Sequence, residues 1–124
     1  MDLTALSASD LSRRILARQV APSEVMAAFL SRIGAFNPAV NAIVGLREPE
    51  VLMAEARAAD DAAPSGWLHG LPLAPKDLVA VRGLRTTWGS PVHAGHVAAA
   101  DDLVAARMRA AGAIFIGKTN TPEW

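Results

Sequence analysis

The chain has 124 residues, 52% of them hydrophobic and 19% charged, with 12 basic against 12 acidic side chains and a mean hydropathy of +0.24. That balance excludes the clustered basic excess of a nucleic-acid-binding surface. The lack of cysteine excludes disulfides and thiolate chemistry, and no apolar run approaches the roughly 18 residues that cross a bilayer.

The length suits one small domain, but so high an apolar share predicts faces that expect further protein to cover them. Met1-Asp2-Leu3-Thr4 carries neither a basic nor an apolar leader pattern. Together with the missing cysteine, this points to the cytoplasm and away from a membrane.

In chain order, Ser7-Ala8-Ser9-Asp10 has the spacing of a helix start, and Leu11 with Ile15 continues an apolar stripe. Pro22 suits the first turn of a second helix, with Glu24 near its positive end. Val25, Met26, Phe29, Leu30 and Ile33 share one face of that helix, and Asn37-Pro38 is expected to end it. Val40-Asn41-Ala42-Ile43-Val44 is a short strand candidate. Pro49 opens an alanine-rich helix through about Ala63, stopped by Pro64-Ser65-Gly66, with Glu50, Glu55, Arg57, Asp60 and Asp61 as a solvated face.

Gly70 to Val79 is an apolar stretch with one lysine inside it, Lys76. On a strand, Ala74, Lys76 and Leu78 share one side, whereas Pro75 and Asp77 point the other way. Asp77 is therefore badly placed to hold Lys76 charged, and a desolvated lysine loses its proton and becomes a general base. The competing reading is a surface lysine at a strand end. Further on, Asp101 or Asp102 caps a fourth helix bearing Leu103, Val104, Arg107, Met108 and Ala111, closed by Gly112. Ala113-Ile114-Phe115-Ile116 reads as a strand buried on both faces. Helices, strand, helix, strand, helix, strand is the order of an α/β layered fold.

Three motifs compete for attention. Gly112 to Thr119 spells a phosphate loop, with Lys118 as its lysine, but strand-forming residues fill its interior and a helix precedes it. His93 and His96 lack a third ligand at a supporting spacing. Ser90 could form a dyad with Lys76, or its hydroxyl could satisfy a turn.

Three segments, in order, resemble the amidase signature family. They are Gly70-Leu71-Pro72-Leu73-Ala74-Pro75-Lys76-Asp77, then Gly83 through Ser90 (Gly-Leu-Arg-Thr-Thr-Trp-Gly-Ser), then Ala111 through Glu123. Asp101-Asp102, Asn37-Pro38 and Asn41-Ala42 also fit. The resemblance implies a hydrolase that cleaves a carboxamide C–N bond through a serine acyl-enzyme, with Lys76 as the catalytic lysine of a Ser–Ser–Lys triad. It implies Thr86, Thr87, Ser90, Thr119 and Asn120 as hydrogen-bonding groups around the site.

Two departures stand out: Pro75 replaces the family's usual aliphatic residue, and no Gly-Ser-Ser-Gly segment exists in these residues. The expected architecture is therefore α/β, with N-terminal helices (1–38) followed by a sheet-forming portion (39–124) of a mixed sheet covered by helices. Together these form the N-terminal portion of one amidase domain, inactive alone. The expected substrate is a small-molecule amide, with no metal, no cofactor and no nucleic acid bound directly, and the full-length protein is compatible with a homodimer. The alternatives are a glutamine-dependent amidotransferase of the kind that releases ammonia for tRNA amidation, represented by its A subunit, and a non-catalytic domain.

Overall fold

The computed structural model describes residues 1–122. Glu123, at the end of the third resembling segment, and Trp124 lie outside the described residues.

Helix α1 spans Ala8–Leu16, and its start follows from chemistry local to the sequence. The Ser7 hydroxyl oxygen accepts the Asp10 N–H at 3.1 Å and donates to the Asp10 carboxylate at 2.8 Å. Helix α2 spans Pro22–Val40, with Pro22 at its first turn and the Glu24 carboxylate accepting the Ala21 N–H at 2.8 Å. The expected end at Asn37-Pro38 is corrected: the helix continues to Val40 and closes on Asn41, which is left-handed at φ 50°. Pro38 sits in the last turn, so its missing N–H removes a single bond, to the carbonyl of exposed Gly34. The Asn37 side-chain amide then hooks the chain beyond, accepting the Ile43 N–H at 2.8 Å and donating to the Ile43 carbonyl at 3.0 Å. Val40 and Asn41 thereby leave the expected strand, and β1 is only Ile43–Val44.

Helix α3 spans Pro49–Asp61, two residues short of the expected end. Its charged side is not wholly solvated. The Asp60 carboxylate accepts the Ser23 N–H at 2.8 Å and the Ser23 hydroxyl at 2.6 Å, which satisfies a donor in the first turn of α2. Helix α4 spans Leu103–Ala110. Asp102 precedes it but does not cap it with its side chain, which instead accepts the Ala80 N–H at 2.8 Å. Gly112, at φ 101°, follows the helix, and a Cβ there would meet the His69 Cα at 2.6 Å.

The remaining strands are β2 (Pro72–Leu73), β3 (Ile114–Phe115) and β4 (Lys118–Thr119). β2 runs parallel to β3, with Pro72 against Ile114 and Leu73 against Phe115. β4 runs antiparallel to β1, and a parallel bridge between Lys76 and Thr119 joins the two ladders. The register shifts by one residue between the Leu73–Phe115 pair and the Lys76–Thr119 bridge, so the 114–119 side carries a bulge. It falls around Gly117, where a Cβ would sit 2.9 Å from the Gly45 carbonyl oxygen.

The layers follow from the alternation of this central segment. Phe115 packs with Val81 and Ala105 of α4, whereas Ile116 packs with Met26 of α2 and with Leu52 and Ala56 of α3. The apolar run is thus buried on both faces, as its composition predicts. A third cluster joins Leu11 and Ile15 of α1 to Val25, Leu68 and Leu71. Phe29 packs on this cluster while Leu30 and Ile33 pack on the Met26 cluster, so the single apolar face of α2 serves two cores.

Candidate active site

Lys76 leaves β2 at the end of the parallel ladder. Its backbone is held on both sides: the Thr119 N–H donates to the Pro75 carbonyl at 2.9 Å, and the Asp77 N–H donates to the Thr119 carbonyl at 3.0 Å. The Lys76 side chain is exposed and its Nζ donates to the Asn120 carbonyl at 3.1 Å. This corrects the expectation of a desolvated Lys76. Beyond the Asn120 carbonyl, nothing among the described residues covers the side chain.

Asp77 turns to the opposite face, as strand alternation predicts. There it is buried and accepts the Thr87 N–H at 3.0 Å together with the Thr87 hydroxyl. The Trp88 N–H returns to the Asp77 carbonyl at 2.9 Å. The Gly83–Ser90 turn is thus fastened directly behind Lys76.

The buried lysine of this chain is Lys118, at 1% exposure. Its Nζ donates to the Val79 carbonyl at 2.5 Å and to the Thr86 hydroxyl at 2.9 Å, and lies 3.9 Å from the Asp77 carboxylate. Burial pulls its pKa below the usual 10.5, and Asp77 and Asp102 offset this only in part. The phosphate-loop reading fails on this geometry. Ile114 and Phe115, in the middle of the would-be loop, form β3, and the lysine that would reach a phosphate is spent on the protein interior. Sequence reasoning missed Lys118 as a structural residue. Simple alternation from Ile116 would place Lys118 on the Met26 side. The one-residue shift around Gly117 puts it instead on the Phe115 side with Val79 and Thr86, so no local signal in the sequence marks it.

The five expected companions divide between the two faces. Asn120 touches Lys76 through its carbonyl, and Thr119 pairs with it through the backbone. Thr86 and Thr87 belong to the Lys118–Asp77 side. Ser90 is buried and its hydroxyl oxygen accepts the Val92 N–H at 3.3 Å, the turn role, while the Lys76 amine bonds elsewhere, to Asn120. His93 and His96 flank the Trp88 ring, at centroid distances of 5.0 and 5.3 Å. Among the described residues no group of three His, Asp or Glu side chains is placed to hold a metal ion.

Comparison with known proteins gives this geometry its context. The family model described as Amidase matches residues 24–124. The chain is 39% identical over 121 residues to an acylamidase of Rhodococcus erythropolis, covering 95% of this chain and 25% of that protein. It is 43% identical over 121 residues to the A subunit of the glutamyl-tRNA(Gln) amidotransferase of Azoarcus sp. strain BH72, again with 95% and 25% coverage. The native peptide amidase of Stenotrophomonas maltophilia superposes with a TM-score of 0.84 at 31% identity, over 97% of this chain and 26% of that one. The chain therefore spans about a quarter of the length of the relatives it matches. Its mixed α/β layers, and a match running over most of its length, make it a member of the amidase signature family.

Proposed function

We propose that this chain carries the general-base lysine of a Ser–Ser–Lys amide hydrolase, and that the two serines come from polypeptide outside these 124 residues. The observation that supports this most is the placement of Lys76. The parallel pairing ends at it, Thr119 holds the backbone on both sides of it through the Pro75 carbonyl and the Asp77 N–H, and its amine is accessible beside the Asn120 carbonyl. In the proposed reaction, Lys76 in its neutral form accepts a proton through a bridging serine from the nucleophilic serine, and later returns one to the departing amine. A neutral amine needs desolvation, so the serine-bearing polypeptide must also cover Lys76. The proposed substrate is a small-molecule amide, and the proposed setting is the cytoplasm.

The 124-residue chain alone is expected to release no ammonia from simple amides. Joined to the remaining three quarters of the Rhodococcus acylamidase, it is expected to complete a hydrolase whose kcat falls at least about a thousandfold in Lys76→Ala. A folded, active chimera indifferent to Lys76→Ala refutes the assignment, as does turnover by the isolated chain that this substitution abolishes. A second reading, in which the chain serves a tRNA-dependent amidotransferase, is favoured by the identity to the Azoarcus protein. Ammonia release restricted to glutamine would support it over general amide hydrolysis.

A further inference from the structure

Lys76 and Lys118 are the chain's only lysines, and both belong to one strand pairing. Thr119, the neighbour of Lys118, is bridged to Lys76. Because successive residues alternate faces, Lys118 and Asp77 meet on the covered side while Lys76 emerges on the open one. The two lysines are thus coupled through a single peptide step on each strand.

We propose that Lys118 is a positioning residue for Lys76. Its side chain ties three points of the loop behind Lys76 together, namely the Val79 carbonyl, the Thr86 hydroxyl and the Asp77 carboxylate. An ammonium has three donors and no acceptor; Nζ faces a carbonyl, a carboxylate and the Thr86 hydroxyl oxygen, whose own proton is directed to the Leu84 carbonyl at 3.4 Å. The arrangement suits a cation that acts as a rivet and suits poorly a group that exchanges protons with a substrate. With the rivet in place, Asp77 holds Thr87 and Trp88, and the Asp77 N–H holds Thr119. The segment Pro75–Asp77 then has one position against β4, and the Lys76 amine has one origin. Lys118 is too buried to meet a substrate. Its catalytic meaning rests on the proposed role of Lys76, whereas its mechanical role does not.

Amide hydrogen exchange on the 124-residue chain tests the mechanical part. In Lys118→Met, which keeps the apolar stem, the amides of Asp77, Trp88 and Thr119 are expected to exchange at least about tenfold faster, while those of Leu52 and Ala56 in α3 change less than about twofold. Thr86→Val is expected to loosen the same three amides, and Thr86→Ser, which restores the hydroxyl, to leave them as in the parent. Thr86→Val carries this readout even if Lys118→Met does not fold. Unchanged exchange at Asp77 and Thr119, or loosening spread equally through α3, overturns the proposal.

In the chimera, Thr86→Val is expected to lower kcat about tenfold with KM within about twofold, and Thr86→Ser to recover it. An effect on KM alone overturns the catalytic part. If Lys76→Ala leaves turnover intact, the function reading fails while the exchange result stands by itself.

Discussion

The Lys118–Asp77 pair offers a measurable quantity. Its charges lie 3.9 Å apart with side-chain exposures of 2% and 8%. At an effective dielectric of about 20 that separation is worth about 4 kcal/mol of attraction. Opposing it is the cost of removing both ions from water, several kcal/mol per ion before hydrogen bonds compensate. Asp77 has two such bonds from Thr87, and Lys118 has Val79 and Thr86. Removing one partner strands the other, so Asp77→Asn is expected to cost about 2–4 kcal/mol and Lys118→Met about 1–3 kcal/mol. The double variant strands neither charge and should cost less than the sum by about 1–3 kcal/mol. Urea denaturation of the four proteins, followed by far-UV circular dichroism, gives the cycle. Additivity within about 0.5 kcal/mol would mean that the two charges do not feel each other, and would refute the reasoning.

Other expectations follow from single positions. Gly112→Ala should lose about 3 kcal/mol or more, since it combines a positive φ with backbone at 2.6 Å, whereas Gly34→Ala, with no neighbour within 4 Å on the exposed side of α2, should gain about 0.5–1 kcal/mol. Thermal melts of the two variants compare them directly. Asp101 is held at a pKa of about 2, first by the Arg109 guanidinium and then by the Arg82 N–H. Since the unfolded carboxyl titrates near 3.8, its contribution is fully present above that pH and is lost as pH falls towards 2. Half-exposed Arg109 leaves the pair screened, so Asp101→Asn should remove about 1 kcal/mol of the stability difference between pH 5 and pH 2.5. Millimolar ATP or GTP should leave the melting temperature unchanged, because Lys118 is occupied; a shift lost in Lys118→Met would restore the phosphate-loop reading.

What the sequence disclosed was chemistry that acts over a few residues. The Ser7–Asp10 reciprocity, Pro22 with Glu24, and the α2 stripe from Val25 to Ile33 are local patterns, and each lies where periodicity puts it. What it hid depended on distant partners. Pro38 reads as a helix stop because a terminal proline and an internal one look alike in sequence, and only the position of Asn41 reveals which it is. Asp102 is a cap by residue type, but Ala80 claims its carboxylate. The assignment of the buried lysine is inverted for a related reason. Alternation correctly turns Asp77 away from Lys76, but it does not say that the covered face holds the other lysine, since the one-residue shift around Gly117 sets the register there.

The Asn37 hook has a chemical side as well. Asparagine usually ages by attack of the following backbone nitrogen on its side-chain carbonyl, closing a succinimide that opens to aspartate or isoaspartate. The residue after Asn37 is Pro38, whose nitrogen carries no hydrogen. The amide that grips both polar groups of Ile43 is therefore shielded from that decay by the same proline that looks, on paper, like a defect in the helix. Conversion to aspartate would set an acceptor against the Ile43 carbonyl and loosen the exit of α2, so the covalent durability of this corner is part of how β1 keeps its place.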